Sequence, residues 1–169
     1  MNGYLFVALA AAIATACSQG EQGVSQAQTG DPVIVLSEGA CLGTCPIYDM
    51  TLHPGGEYVL NGQRFVKTTG VSEGDLGKPA WTKAVGILEE ASFWTLQPDQ
   101  TMSTIRDCHT DMPTVKVTWR TEEGKEKTVT YNAGCGVEKM QDLIRSLRGA
   151  LHFQDLVWTD EKFDPSGRH

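Results

Sequence analysis

The stretch TVKVTWRTEEGKEKTVTYNAGCGVEKMQDLIRSLRGAL, residues 114–151, decides the fold class. Thr114 to Arg120 alternates, with Val115, Val117 and Trp119 on one side and Lys116, Thr118 and Arg120 on the other. That period of two belongs to a strand with one buried face. Glu122 to Lys125, carrying Gly124, reads as a turn, and Glu126 to Tyr131 as the partner strand with Val129 and Tyr131 inward. Gly134-Cys135-Gly136 interrupts the pattern, and the period then changes. Val137, Met140, Ile144, Leu147 and Leu151 form a helical stripe opposite Glu138, Lys139, Asp142, Arg145 and Arg148. A hairpin followed by an amphipathic helix gives a sheet face and the element that covers it.

Upstream the same grammar recurs. Val33 to Leu36 is a short β-branched run. Ile47 to His53 places Tyr48, Met50 and Leu52 on one face. Pro54-Gly55-Gly56 is a turn, Glu57 to Leu60 a return strand, Asn61-Gly62 a two-residue hairpin turn, and Gln63 to Thr69 the next strand. Lys78 to Ala91 is helical, with Trp81, Ala84, Val85 and Leu88 at helical spacing and Pro79 in the first turn. Gln97 to Met112 reads as polar and irregular. The expectation is an α+β fold: a single small domain over residues 32–160, its antiparallel sheet (a meander plus a hairpin) covered by two helices. Residues 161–169 read as a loose tail.

The chain has 169 residues and a formal net charge of −7. Its few Lys and Arg residues form no cluster, so nucleic acid is not an expected partner. The same negative charge opposes an anionic lipid surface, which leaves a covalent anchor as the expected route to a membrane. Tyr4 to Ala16 is apolar, too short to span a bilayer, and ends Ala14-Thr15-Ala16-Cys17. Small residues before a cysteine resemble the bacterial lipobox, whose cysteine is acylated. Residues 1–17 therefore read as a signal peptide with Cys17 as the lipidation site. Lipidation also accounts for the odd one of five cysteines. Ser18 rather than Asp after Cys17 points to the periplasmic face of the outer membrane. The competing reading takes Ala14-Thr15-Ala16 as an ordinary cleavage site. Residues 18–31, SQGEQGVSQAQTGD, are Gly-, Gln- and Ser-rich and form a flexible tether with an r.m.s. reach of about 20 Å.

Four cysteines lie in the folded part. Cys41 and Cys45 are spaced C-x₃-C around Gly43. One reading is a structural disulfide, which an oxidising compartment favours. The alternative is a copper-handling or thiol-redox site, since soft thiolates suit Cu(I), with His53 or His109 as the third ligand. Cys108 and Cys135 flank the 114–131 hairpin and read as a disulfide closing its base. Cys108-His109-Thr110-Asp111 could be imagined as a nucleophile with its base and orienter, but neighbours on an extended loop seldom converge so. No phosphate loop, nucleophile elbow or calcium loop occurs. Tyr48, Trp81, Trp94 and Trp119 read as core.

The motif Cys41-Leu42-Gly43-Thr44-Cys45-Pro46-Ile47-Tyr48, followed by a strand, a glycine turn and a second strand, resembles domain of unknown function 6438, a bacterial family. Asp111-Met112-Pro113 before a strand and a final amphipathic helix extend the resemblance over about Val33 to Trp158. Leu42 stands where an aromatic is common, and Cys108 and Cys135 are additional. The resemblance implies an exported or lipoprotein domain and supplies no mechanism. The expectation from the sequence is a non-enzymatic binding or structural role in the envelope, with no cofactor.

Overall fold

The computed structural model describes residues 30–159. The expected signal peptide with Cys17, residues 18–29 of the tether and the 161–169 tail lie outside the described residues.

The strands are β1 (Val33–Glu38), β2 (Ile47–Leu52), β3 (Glu57–Arg64), β4 (Gly70–Asp75), β5 (Asp99–Gln100), β6 (Thr114–Arg120) and β7 (Glu126–Asn132). The helices are α1 (Lys78–Glu90), α2 (Glu138–Ala150) and the short α3 (Phe153–Leu156). All strands join one seven-stranded sheet in the order β4-β3-β2-β1-β6-β7-β5. The first four form an antiparallel meander and β6–β7 an antiparallel hairpin that adds to β1. The sequence reading of an α+β domain with a meander and a hairpin describes this architecture.

One sheet face carries the core. Its rows run across the strands as Ile34–Leu52–Tyr58, Leu36–Met50–Leu60 and Glu38–Tyr48–Gly62 by register. β6 and β7 extend them with Trp119, Val117–Val129 and Val115–Tyr131. Ala84 and Leu88 of α1 and Met140, Leu143, Ile144 and Leu147 of α2 are buried with these side chains in a single cluster. The mostly apolar inward strand positions meet the helix stripes, so each element hides the face it could not expose alone. Among the described residues no helix is long and apolar enough to cross a membrane.

The structure corrects the sequence reading in the meander. Asn61-Gly62 is not a turn: Asn61 pairs with Asp49 and Val71, and Gly62 with Tyr48 and Gly70, inside β3. The chain reverses after Arg64, where Phe65 takes a left-handed φ of 54°. Gly62 is needed for a close approach: a Cβ there would lie 2.1 Å from the Thr68 carbonyl oxygen. The strand expected at Gln63–Thr69 accordingly falls later, at Gly70–Asp75. Within the segment read as irregular, Asp99–Gln100 adds a two-residue strand parallel to β7 at Thr130–Tyr131.

Candidate functional site

Both cysteine pairs lie at one end of the sheet. Cys41 and Cys45 follow β1 and are disulfide-bonded, with their α-carbons 5.7 Å apart. Cys108 and Cys135 are likewise bonded, before β6 and after β7, at 4.0 Å. The loops that carry them are tied together. Leu42 N–H donates to the Asp111 carbonyl at 3.0 Å, Gly39 N–H to Thr114 at 2.9 Å, and His109 N–H to Gly134 at 3.0 Å. Gly134 has no room for a side chain, since a Cβ would sit 2.1 Å from the His109 carbonyl oxygen. The Asn132 amide locks the corner further, accepting from Gly134 N–H at 2.9 Å and donating to the Met112 carbonyl at 3.3 Å.

This arrangement does not support metal handling. The four thiols are taken up in pairs, and among the described residues no three His, Cys, Asp or Glu side chains gather where an ion could sit. His53 lies past the far end of β2 from Cys45, and His109 is an exposed neighbour of an oxidised cysteine. The Cys108-His109-Asp111 series likewise offers no thiol nucleophile while Cys108 is bonded to Cys135.

The chemistry the sequence reading missed is a buried carboxylate. Glu38 occupies the inward parity of β1, after Ile34 and Leu36, and its side chain is 1 % exposed. The Tyr48 hydroxyl donates to Glu38 Oε1 at 2.6 Å. Arg148 Nε donates to the same oxygen at 2.7 Å, and Arg148 Nη2 to Oε2. Arg148, read from sequence as part of the solvent face of its helix, instead bends onto the sheet. A fork-shaped guanidinium is the group that can satisfy both oxygens of a carboxylate at once. Burial, then the Glu38 carboxylate, raises the Tyr48 hydroxyl well above its ordinary value, so it stays a proton donor at neutral pH. Burial works against the charge on Arg148, but the hydrogen bonds and charge of Glu38 outweigh it and the net shift is upward.

Arg148 also lines a cleft of about 530 Å³. Pro46, directly after Cys45, forms one wall; Arg145, His152, Phe153 and Trp158 supply others. The Arg148 guanidinium carbon lies 5.0 Å from the centre of the Phe153 ring. Phe153 in turn packs against Tyr48 at 5.7 Å and Trp158 at 6.1 Å between ring centroids. The cleft is positioned by three separate devices. The C-terminal turn of α2 delivers Arg145 and Arg148. His152, at a left-handed φ of 53°, turns the chain into α3. The Lys67 N–H donates to the Val157 carbonyl at 2.9 Å and pins the segment after α3 to the β3–β4 turn. A fixed cation beside aromatic surface can hold a small molecule by hydrogen bonds at one end and apolar contact at the other.

The pattern of a family described as a domain of unknown function (DUF6438) matches residues 32–151, the whole sheet and both long helices. No curated protein matches the chain. The matched span includes Glu38, Tyr48 and Arg148 and ends before Phe153 and Trp158.

Proposed function

The chain belongs to the DUF6438 family, whose description assigns no activity, and from that premise we propose a non-enzymatic ligand-binding domain of the cell envelope, held to the periplasmic face of the outer membrane by a lipid on Cys17. In this reading residues 1–17 are the signal peptide, 18–31 the tether, and the cleft beside Arg148 the binding surface. The observation that carries the binding role is the cleft itself. Its cation is held rigid by a buried carboxylate, its walls include aromatic rings, and among the described residues no serine, threonine or cysteine lines it. His152 and Asp155 stand 3.5 Å apart on the rim, but a base with no nucleophile beside it supports recognition better than group transfer. The disulfides support residence in an oxidising compartment.

The anchor is tested by fractionation. Cys17→Ser is expected to move the protein from the membrane fraction to the soluble one, or to leave an uncleaved precursor. A variant that is processed normally and stays membrane-bound contradicts the anchor.

A further inference from the structure

We infer that the cleft takes a monoanionic carboxylate carried on a flat apolar body, the carboxylate on the outward edge of Arg148 and the body against Trp158 and Phe153. This deepens the binding proposal above and rests on the cleft being the binding surface.

The argument starts from the donors of Arg148. A guanidinium has five N–H groups in a rigid fork. Two are taken by Glu38, through Nε and Nη2. Those contacts fix the plane of the group, because Glu38 is itself buried and anchored by Tyr48. The remaining hydrogens, on Nη1 and the second of Nη2, are not used by Glu38. The side chain is 35 % exposed and is among the residues lining the cleft. A planar acceptor with two oxygens matches the remaining edge, as Glu38 matches the first. An arginine already immobilised loses little freedom on binding, which favours a small guest.

The charge of the walls narrows the class. Each arginine there has its own carboxylate, Arg148 with Glu38 and Arg145 with Asp142 at 2.7 Å, and His152 stands 3.5 Å from Asp155. The cleft thus carries no surplus of positive charge, and the whole chain carries −7. Phosphate esters and polyanions, which need several uncommitted cations, gain nothing from the long-range field. A single negative charge gains chiefly from short hydrogen bonds, and its binding must be completed by apolar contact. Trp158, 44 % exposed, supplies most of that contact, and Phe153 and Pro46 also line the cleft. A cleft of about 530 Å³ falls in the usual range for small-molecule sites, roughly 300–1,000 Å³.

The test uses the full-length protein carrying only Cys17→Ser, titrated calorimetrically with indole-3-acetate. The comparison probes are indole-3-acetamide, acetate and inorganic phosphate. Indole-3-acetate is expected to bind at least tenfold more tightly than each of the three. Trp158→Ala, which leaves the Glu38–Arg148 pair untouched and should fold, is expected to weaken indole-3-acetate at least tenfold and leave acetate unchanged. Arg148→Lys is expected to remove the preference over the acetamide. If the acetamide binds as well as the acid, the ligand class is overturned while the cleft stands as the site. If phosphate binds most tightly, or no probe binds at millimolar concentration, the ligand class is overturned. If indole-3-acetate binds and neither substitution changes its affinity, the cleft is not the site, and the binding reading falls with the ligand class.

Discussion

Arg148→Met is expected to lower the stability of the domain by about 3 kcal/mol, the lower end of what breaking a buried ion pair costs, because Arg148 keeps some contact with water. The loss comes from what is left behind. Glu38 would remain buried with the Tyr48 hydroxyl as its one remaining side-chain donor among the described residues. A carboxylate in that position must either stay charged without compensation or take up a proton, and both disfavour the folded state. Tyr48→Phe should cost less, about 1–1.5 kcal/mol, since it removes one neutral donor and leaves the guanidinium in place. Combining Glu38→Gln with Arg148→Met should recover part of the loss, because the amide is uncharged and Tyr48 can still donate to it. Denaturant midpoints at constant slope measure all of these. A double variant no more stable than Arg148→Met alone would show that Arg148 stabilises by packing on Phe153, 5.0 Å away, rather than by neutralising Glu38.

The second large effect is on the hairpin staple. Cys108 and Cys135 are 27 residues apart in sequence and close a loop containing the whole β6–β7 hairpin. Chain entropy assigns such a loop about 3.5 kcal/mol, an upper figure because native strain subtracts from it. Replacing both cysteines by serine is therefore expected to cost up to that amount. The Cys41–Cys45 pair, only four residues apart, should cost about 2 kcal/mol by the same relation. The order of the two losses is the informative part. Were the short loop the more costly to open, its contribution would lie in native packing around Pro46 and Tyr48 and not in the unfolded chain. Peptide mapping without reductant should join the Cys108 peptide to the Cys135 peptide.

The elements legible in the sequence are those whose periodicity is set by a single buried face. Val115, Val117 and Trp119 alternate because β6 lies centrally under the helices, and the stripe from Met140 to Leu147 is regular because α2 covers one sheet face. Asn61-Gly62 misled because an Asn-Gly pair satisfies two unrelated demands, positive φ in a turn or absence of a Cβ in a strand. Only the tertiary contact with Thr68 distinguishes them. Asp99–Gln100 carries no pattern because two residues cannot show a period; its pairing is dictated by Pro98, whose carbonyl accepts from Thr130 N–H at 2.8 Å.

The cleft was illegible for a different reason. Glu38 and Arg148 are 110 residues apart, so no local rule joins them. A signal did exist. Ile34, Leu36 and Glu38 share one parity, and a carboxylate on the buried side of a strand requires a cation from elsewhere. Arg148 lies four residues after Ile144, at the border of the apolar stripe, where a long side chain can reach inward. The α3 segment that completes the cleft is four residues long and follows a left-handed His152, a conformation that composition does not announce.

The measurement that bears most directly on the binding role is a backbone and arginine side-chain NMR map of the Cys17→Ser protein. It would be titrated with the low-mass fraction of the native envelope. The account predicts that perturbed signals cluster at Gly149, His152, Phe153, Trp158 and the Nε–H of Arg148. Perturbations confined to other surfaces, or no response with the fold intact, would contradict it.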